Sequence, residues 1–328
     1  LVTVGALIAL VGTSVAIHFL LGVGWPVAFL VGSLLVATGP TVIAPILDVV
    51  PVRDRVGIAL DTEGIVNDVT AAITAVVIFN IITSPASGAS AIVVDFVRRF
   101  SYGLFVGVVV AGALYYMLQY VDLSPGNAPR NARLLVLAGA LVAYAAANYL
   151  ASEAGVAAVA VAGVLLGNAD VPYEDEIAAF KGDVTLVVLS FVFITLAALL
   201  DFGVVLDLGL RKLAVVAVVA LVLRPLLVFV SSVGDRFTRE EKLFMSFVGP
   251  RGIIPASVAT LFAIELRSPE VGMDPAADVL VGTVFLTILL TVVFEAGLAR
   301  QIAEKLNVIP MRVIIVGGGS VGRELATR

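Results

Sequence analysis

The chain has 328 residues, of which 60% are hydrophobic and only 14% are charged, and its mean hydropathy is +1.12. Soluble domains carry roughly 25% charged residues, so a chain this apolar cannot fold as a water-soluble globule. The net charge of −5 argues against nucleic-acid binding, which needs a basic patch, and the absence of cysteine excludes disulfides and thiol nucleophiles.

Apolar runs separated by Pro, Gly and charged residues predict about ten membrane-spanning helices, because one span needs about 20 apolar residues. In chain order, the predicted spans are 1–21, 25–47, 58–82, 99–120, 133–150, 155–169, 183–200, 212–233, 240–266 and 278–303. We therefore expect an all-α, polytopic helix bundle in a lipid bilayer.

The basic residues favour one face of the membrane. With ten spans, most Lys and Arg fall on the face that holds both chain ends, and this face is predicted to be cytoplasmic. The residues on this face are Arg53, Arg55, Arg130, Arg133, Arg236, Arg239, Lys242, Arg300, Lys305 and Arg312. The residues on the other face are Arg98, Arg99, Arg211, Lys212 and Arg267.

The second span is interrupted by Thr38, Gly39 and Pro40 in the stretch ATGPTV. Proline removes a backbone donor, so the helix is predicted to break here and to free the carbonyl of Thr38 to face an ion. An ordinary proline kink is the alternative reading, since membrane helices tolerate proline well.

The third span carries the polar residues Asp61, Glu63, Asn67 and Asp68 in an otherwise apolar run. Ionisable groups at membrane depth cost at least about 2.5 kcal/mol on insertion scales, so they mark ion or proton pathways. Glu63 and Asn67 are four residues apart and share a helix face, whereas Asp68 lies further round and can point into a cavity. Asp68 is therefore predicted to bind a proton and a cation in turn, while Asp61 reaches water.

The ninth span contains Arg251 in the stretch GPRG, and a second helix break is predicted at Gly249 and Pro250. Gly282 is an alternative position for this break. An arginine at this depth needs an anion or a water-filled cavity, and Glu63 is the predicted partner of Arg251.

Two further charged residues are placed without a transport role. Arg224 is expected to pair with Asp201 or with a carbonyl group, and Glu295 is expected to face the cytoplasm near a helix end.

The three polar stretches resemble motifs of the NhaP-like sodium/proton exchanger family. ATGPTV, EGIVNDVTA and GPRG resemble its A-T-D-P, E-S-x-x-N-D-A-T and G-L-R-G motifs, in the same order, within residues 1 to about 306. The resemblance implies thirteen helices with inverted repeats and interrupted crossing helices, of which the first three would precede this chain. It also implies a homodimer in a prokaryotic plasma membrane.

The same resemblance assigns the site. It implies that Asp68, Asn67, Thr38 and Glu63 form the ion- and proton-binding site and that Asp68 ligates Na⁺ or K⁺ directly. Asn67 marks the electroneutral subgroup, and Glu63 pairs with Arg251. The expected activity is exchange of a monovalent cation for protons, with no enzyme activity and no cofactor.

Two positions depart from the family pattern. Gly39 replaces the aspartate of A-T-D-P, and Gly64 replaces the serine that follows the glutamate. Both are ion-ligating positions in sodium-selective members, so the resemblance predicts a site short of oxygen ligands. Fewer hard ligands favour a larger, looser or more hydrated site, and the sequence therefore does not predict selectivity for Na⁺ over K⁺.

Residues 310–328 contain the stretch GGGSVG, with Gly317, Gly319 and Gly322 after a predicted strand. This resembles the start of a TrkA-type nucleotide-binding domain, which is a regulatory domain in potassium transporters. Two alternatives to a sodium/proton antiporter follow from it: a nucleotide-regulated cation channel and a K⁺-specific efflux antiporter. The channel is disfavoured by the lack of a filter-like carbonyl-rich repeat. A sensor or scaffold without transport is a third reading, which intramembrane charges disfavour.

Overall fold

The computed structural model describes residues 1–83, 89–121, 126–199, 209–252 and 254–309, and every regular element within these ranges is a helix. The first eight helices are α1 (Val4–Leu21), α2 (Trp25–Leu34), α3 (Pro40–Val49), α4 (Asp54–Thr83), α5 (Ala89–Tyr120), α6 (Ala128–Leu150), α7 (Ala154–Gly167) and α8 (Glu174–Leu199). The remaining helices are α9 (Gly209–Val218), α10 (Arg224–Ser231), α11 (Arg239–Phe247), α12 (Ile254–Leu266), α13 (Asp274–Thr291) and α14 (Gly297–Lys305). Two π-helical turns join neighbouring helices: Val219–Leu223 links α9 to α10, and Val292–Ala296 links α13 to α14.

Each of the ten predicted spans coincides with one of these helices or with a consecutive pair. Within the described residues, six helical segments are long and apolar enough to cross a bilayer unaided. The largest boundary error concerns α5, which begins at Ala89 rather than at 99. Asp95 accepts hydrogen bonds from Arg98 and Arg99, and these pairs, three and four residues apart, support helix beyond the apolar run.

Six of the spans form two units of three spans each, and the second unit is inverted in the membrane relative to the first. On one face, Arg53 and Arg55 near the start of α4 donate to Glu241 near the start of α11, at 2.9 and 2.7 Å. On the other face, Arg267 after α12 donates to Asp278 near the start of α13, at 2.6 Å. Since α4 and α11–α12 start on the same face and neighbouring spans alternate in direction, α1, α2–α3 and α4 run opposite to α9–α10, α11–α12 and α13–α14, respectively. This is the inverted repeat that was predicted.

Both helix breaks lie between two apolar clusters of this six-span core. The first cluster packs the α2 residues Leu30 and Leu34 against Phe262 of α12 and Leu280 of α13. The second packs the α3 residue Ile43 against Leu60 of α4, Phe244 of α11 and Ala303 of α14. Because densely packed side chains resist displacement, the two clusters hold the two helix breaks between them in a defined position.

The helices α5 to α8 form a second group beside the core. Gly103 and Gly107 of α5 face α7 so closely that an added Cβ would lie 2.7 Å from the Ala154 carbonyl oxygen and 2.6 Å from that of Ala158. Small residues four apart allow helix backbones to approach in a membrane, where apolar burial drives association only weakly. The group is therefore packed by close backbone contact.

Candidate ion-binding site

Helix α4 carries three buried polar side chains in the middle of the core. Glu63, Asn67 and Asp68 are 1%, 2% and 3% exposed. Glu63 and Asn67 lie on one face, and the Asn67 Nδ2 donates to the Glu63 Oε1 at 3.5 Å. Asp68 points in another direction, as the helical spacing predicts. The sequence therefore placed these side chains correctly relative to one another.

Asp68 lines a cavity of about 840 Å³ between the core and the α5–α8 group. Ile254, the first residue of α12, lines it too, and the exposed residues Glu174 and Lys181 of α8 lie at its edge. Glu174 follows the 168–173 loop, on the face that carries the start of α4. The cavity thus connects Asp68 to one side of the protein.

The breaks in α2–α3 and α11–α12 cross at Gly39. The Gly39 backbone N–H donates to the Pro250 carbonyl oxygen at 3.0 Å, and a Cβ built on Gly39 would lie 2.2 Å from the Cα of Gly252. The first break spans the residues between α2 and Pro40, the first residue of α3. The structure therefore supports a break over an ordinary proline kink. Gly282 lies within the continuous helix α13, so the second break is at Gly249 and Pro250 as first predicted.

The crossing gives a physical reason for glycine at position 39. Only hydrogen fits on its Cα at this distance from the Gly252 backbone, and backbone cannot move aside as a flexible side chain can. Gly39 in place of the family's aspartate therefore has two consequences. It permits the close approach of the two breaks, and it reduces the number of oxygen ligands available to a cation.

We expect Gly39→Ala, and Gly39→Asp more severely, to weaken the crossing. Overpacking of a filled site costs about 1–3 kcal/mol, so the unfolding temperature in detergent should fall and exchange activity with it. The control is Gly112→Ala in α5, where an added Cβ meets nothing within 4 Å and the fold should be unchanged or slightly more stable. A stable Gly39→Asp protein with altered Na⁺ or K⁺ preference would show instead that position 39 is a ligand position.

Three of the four predicted ligand residues have a buried oxygen atom without a hydrogen-bond partner in the described part of the chain. These atoms are the Thr38 Oγ1, the Asn67 Oδ1 and the Asp68 Oδ1. Buried polar atoms are normally hydrogen-bonded, and an exception calls for a specific explanation. The last turns of α2 and α11 and the first turns of α3 and α12 meet at the crossing and bring partial charges of both signs there. Such oxygen atoms can ligate a small hard cation.

The prediction that Glu63 pairs with Arg251 is wrong, because the arginine that pairs with Glu63 is Arg224. Arg224 is fully buried and donates from Nη1 and Nη2 to both carboxylate oxygens of Glu63, with 3.0 Å between Nη2 and Oε2. Its Nε also donates to the Met245 carbonyl oxygen at 3.2 Å, so a carbonyl is a second partner. Asp201, the other suggested partner, lies outside the described residues.

The cause of this pairing is a local irregularity in the helix. Arg224 directly follows the π-helical turn Val219–Leu223 and precedes Pro225. A π turn changes the rotation of the residues that follow it, and such turns are frequent at functional sites. The planar fork of an arginine then matches both carboxylate oxygens, which makes this a bidentate pair. In the sequence, the only signal for this pairing was an arginine directly before a proline in an apolar run.

Arg251 occupies the second break without bonding to Glu63. Its backbone N–H donates to the Thr291 Oγ1 at 3.3 Å, and its Nε has no hydrogen-bond partner in the described residues. Glu295 is drawn inward by the π-helical turn Val292–Ala296, and its Oε2 accepts from the Gly249 backbone N–H at 2.9 Å. The expectation that Glu295 simply faces the cytoplasm is therefore wrong.

Two inverted units with crossing broken helices, together with a buried carboxylate on the membrane-spanning helix α4, define a secondary transporter of the inverted-repeat class. The chain belongs to the family described as sodium/hydrogen exchanger, transmembrane, which matches residues 1–304. The family resemblance drawn from the three motifs is thus confirmed. The glycines at 317, 319 and 322, and with them the nucleotide-binding prediction, lie outside the described residues.

Relatives and solved structures support this assignment. The chain is 30% identical over 303 residues to Na(+)/H(+) antiporter 1 of Methanocaldococcus jannaschii, covering 86% of this chain and 69% of the relative. It is 27% identical over 300 residues to K(+)/H(+) antiporter NhaP2 of Shewanella sp. strain MR-4, covering 90% of this chain and 50% of the relative. The structure of the sodium proton antiporter MjNhaP1 from M. jannaschii at pH 8 superposes with a TM-score of 0.78 and 28% identity, covering 93% of this chain and 77% of that chain.

Proposed function

We propose that this chain exchanges a monovalent cation, Na⁺ or K⁺, for protons by alternating access at Asp68. The observation that carries the proposal is the position of Asp68, buried at the inner end of a cavity and with one oxygen atom unbonded. Relatives named as Na⁺/H⁺ and K⁺/H⁺ antiporters support both cations, and the chain spans only about half the length of the K⁺/H⁺ relatives.

Competition for one carboxylate makes the exchange obligatory. An isolated buried carboxylate is costly, so Asp68 favours a state in which either a proton or a cation neutralises it. The core moves between its two orientations only in these neutral states. A proton bound on one side must therefore leave before a cation binds, and Asn67 and Thr38 supply further oxygen atoms for the cation. Binding of one proton against one monovalent cation gives electroneutral exchange.

The cavity is proposed to open to the cytoplasm. It lies on the face with Arg53, Arg130 and Arg236, and an excess of Arg and Lys marks the cytoplasmic side. With ten spans, α1 begins and α14 ends on this face, so the C-terminus is proposed to be cytoplasmic. The homodimer that the family resemblance implies stays a prediction.

The proposal is tested in proteoliposomes with an imposed proton gradient and equal cation concentrations on both sides. We expect protons moving downhill to drive Na⁺, K⁺ or both uphill, and the same preparation ranks Na⁺, K⁺ and Li⁺ at several pH values. No net cation movement under these conditions, with flux appearing only when a cation gradient is imposed, would support a channel and overturn the exchanger.

A further inference from the structure

Two backbone N–H groups of the break between α11 and α12, those of Gly249 and Arg251, are bonded to side chains of the α13–α14 segment. The Gly249 N–H donates to the Glu295 Oε2 at 2.9 Å, and the Arg251 N–H donates to the Thr291 Oγ1 at 3.3 Å. Pro250, between them, has no N–H, and its carbonyl oxygen accepts from Gly39. Unsatisfied backbone groups at membrane depth cost several kcal/mol, so these acceptors maintain the broken conformation.

The α13–α14 segment presents the two acceptors because of its own local structure. Thr291 is the last residue of α13, and its hydroxyl donates to the Thr287 carbonyl oxygen at 2.7 Å, which leaves its lone pairs available to Arg251. Glu295 lies in the π-helical turn that follows. The turn and the threonine together direct both oxygen atoms at the break.

Glu295 also completes the charge balance at the crossing. Glu63 is bonded to Arg224, and Arg251, which burial and the neighbouring Arg224 disfavour as a charged group, is attracted first by Glu295 and then by Glu63. Glu295 in turn interacts most strongly with Arg251 and more weakly with Arg224. Glu295 and Thr291 also line a groove of about 390 Å³ whose other walls are apolar residues such as Leu221 and Phe294. Two carboxylates and two arginines thus compensate one another in an apolar environment.

We propose that Glu295 and Thr291 are positioning residues of the transport site. They hold the α11–α12 break, and through Pro250 and Gly39 the crossing itself, in the geometry that Asp68 needs to bind a cation. Glu295 acts on the site through the break, because its Oε2 accepts from the Gly249 N–H. The transport part of this proposal rests on the exchange function proposed above, whereas the hydrogen bonds to the break are a property of the fold.

The first test measures the break directly by hydrogen–deuterium exchange of the wild-type protein and of Glu295→Ala and Thr291→Val in detergent. Loss of one acceptor should raise the amide exchange rate in the peptide that contains Gly249 to Gly252 by about tenfold, the factor for losing one hydrogen bond. Thr291→Ser keeps the hydroxyl and should exchange like the wild type. Unchanged exchange in Glu295→Ala and Thr291→Val would overturn the proposal.

The second test measures cation KM and maximal rate in proteoliposomes. Glu295→Ala and Thr291→Val should raise KM about tenfold, with a smaller effect for Glu295→Gln, which keeps an acceptor oxygen, and none for Thr291→Ser. The control is Glu304→Gln on α14, an exposed carboxylate that pairs only with Arg300 at 3.0 Å among the described residues. Wild-type KM and rate in both disrupted variants would overturn the positioning role. A wild type without exchange would overturn the proposed function instead, and the first test would still decide the hydrogen bonds.

Discussion

Asp68→Asn should reduce proton-coupled cation exchange to the level of empty liposomes while leaving the protein folded. Asparagine has nearly the same shape and fits the same buried position on α4, but it neither releases a proton nor neutralises a cation. Because the proposed cycle uses one carboxylate for both ligands, its removal abolishes both half-reactions. The measurement is Na⁺- and K⁺-dependent proton movement in proteoliposomes, with the unfolding temperature as the check on folding.

A matched control lies on the same helix. Asp54 is exposed in the first turn of α4, so Asp54→Asn changes the same functional group outside the site and should leave the exchange rate unchanged. Asp68→Glu keeps the carboxylate on a longer side chain and should retain weak activity. Robust exchange by Asp68→Asn would exclude Asp68 as the residue that binds the proton and the cation. Glu63, the other buried carboxylate of α4, would then be the next candidate.

Glu63→Ala should destabilise the protein by about 3–5 kcal/mol, because it leaves the Arg224 guanidinium buried without its counter-charge. Arg224→Ala should cost a similar amount for the converse reason. In the double variant neither charge is left uncompensated, so its loss should be well below the sum of the two. Chemical unfolding in detergent measures this difference, which is the coupling energy of the pair.

The same cycle distinguishes the observed pair from the one predicted from sequence. The coupling of Glu63 with Arg251 should be clearly smaller, since these residues interact without a hydrogen bond. The exposed pair of Arg300 and Glu304, four residues apart on α14, serves as a reference and should contribute about 0.3–0.5 kcal/mol. A larger coupling of Glu63 with Arg251 than with Arg224 would contradict the arrangement described here.

The burial and relative orientation of the polar residues on α4 were predictable because their sequence signals are local. A carboxylate in an apolar helix is costly wherever the helix lies, so Asp68 stands out from its neighbours alone. The offset between Asp68 and the pair of Glu63 and Asn67 follows from helical geometry. Glu295 was visible as a charge in an apolar run, yet its bond to Gly249 was not predicted, because the π turn in which it lies has no recognisable sequence pattern.

The amino-acid sequence by itself determined that this protein is a helical membrane bundle and that two of its spans are broken. Both conclusions follow from hydropathy and from the missing N–H of proline, which act within one segment. Only the tertiary structure decided that Glu63 pairs with Arg224 and that Gly39 packs against the backbone of Gly252. Those choices depend on how each helix is rotated and how closely two backbones approach, and a single π turn changes the rotation of every residue after it.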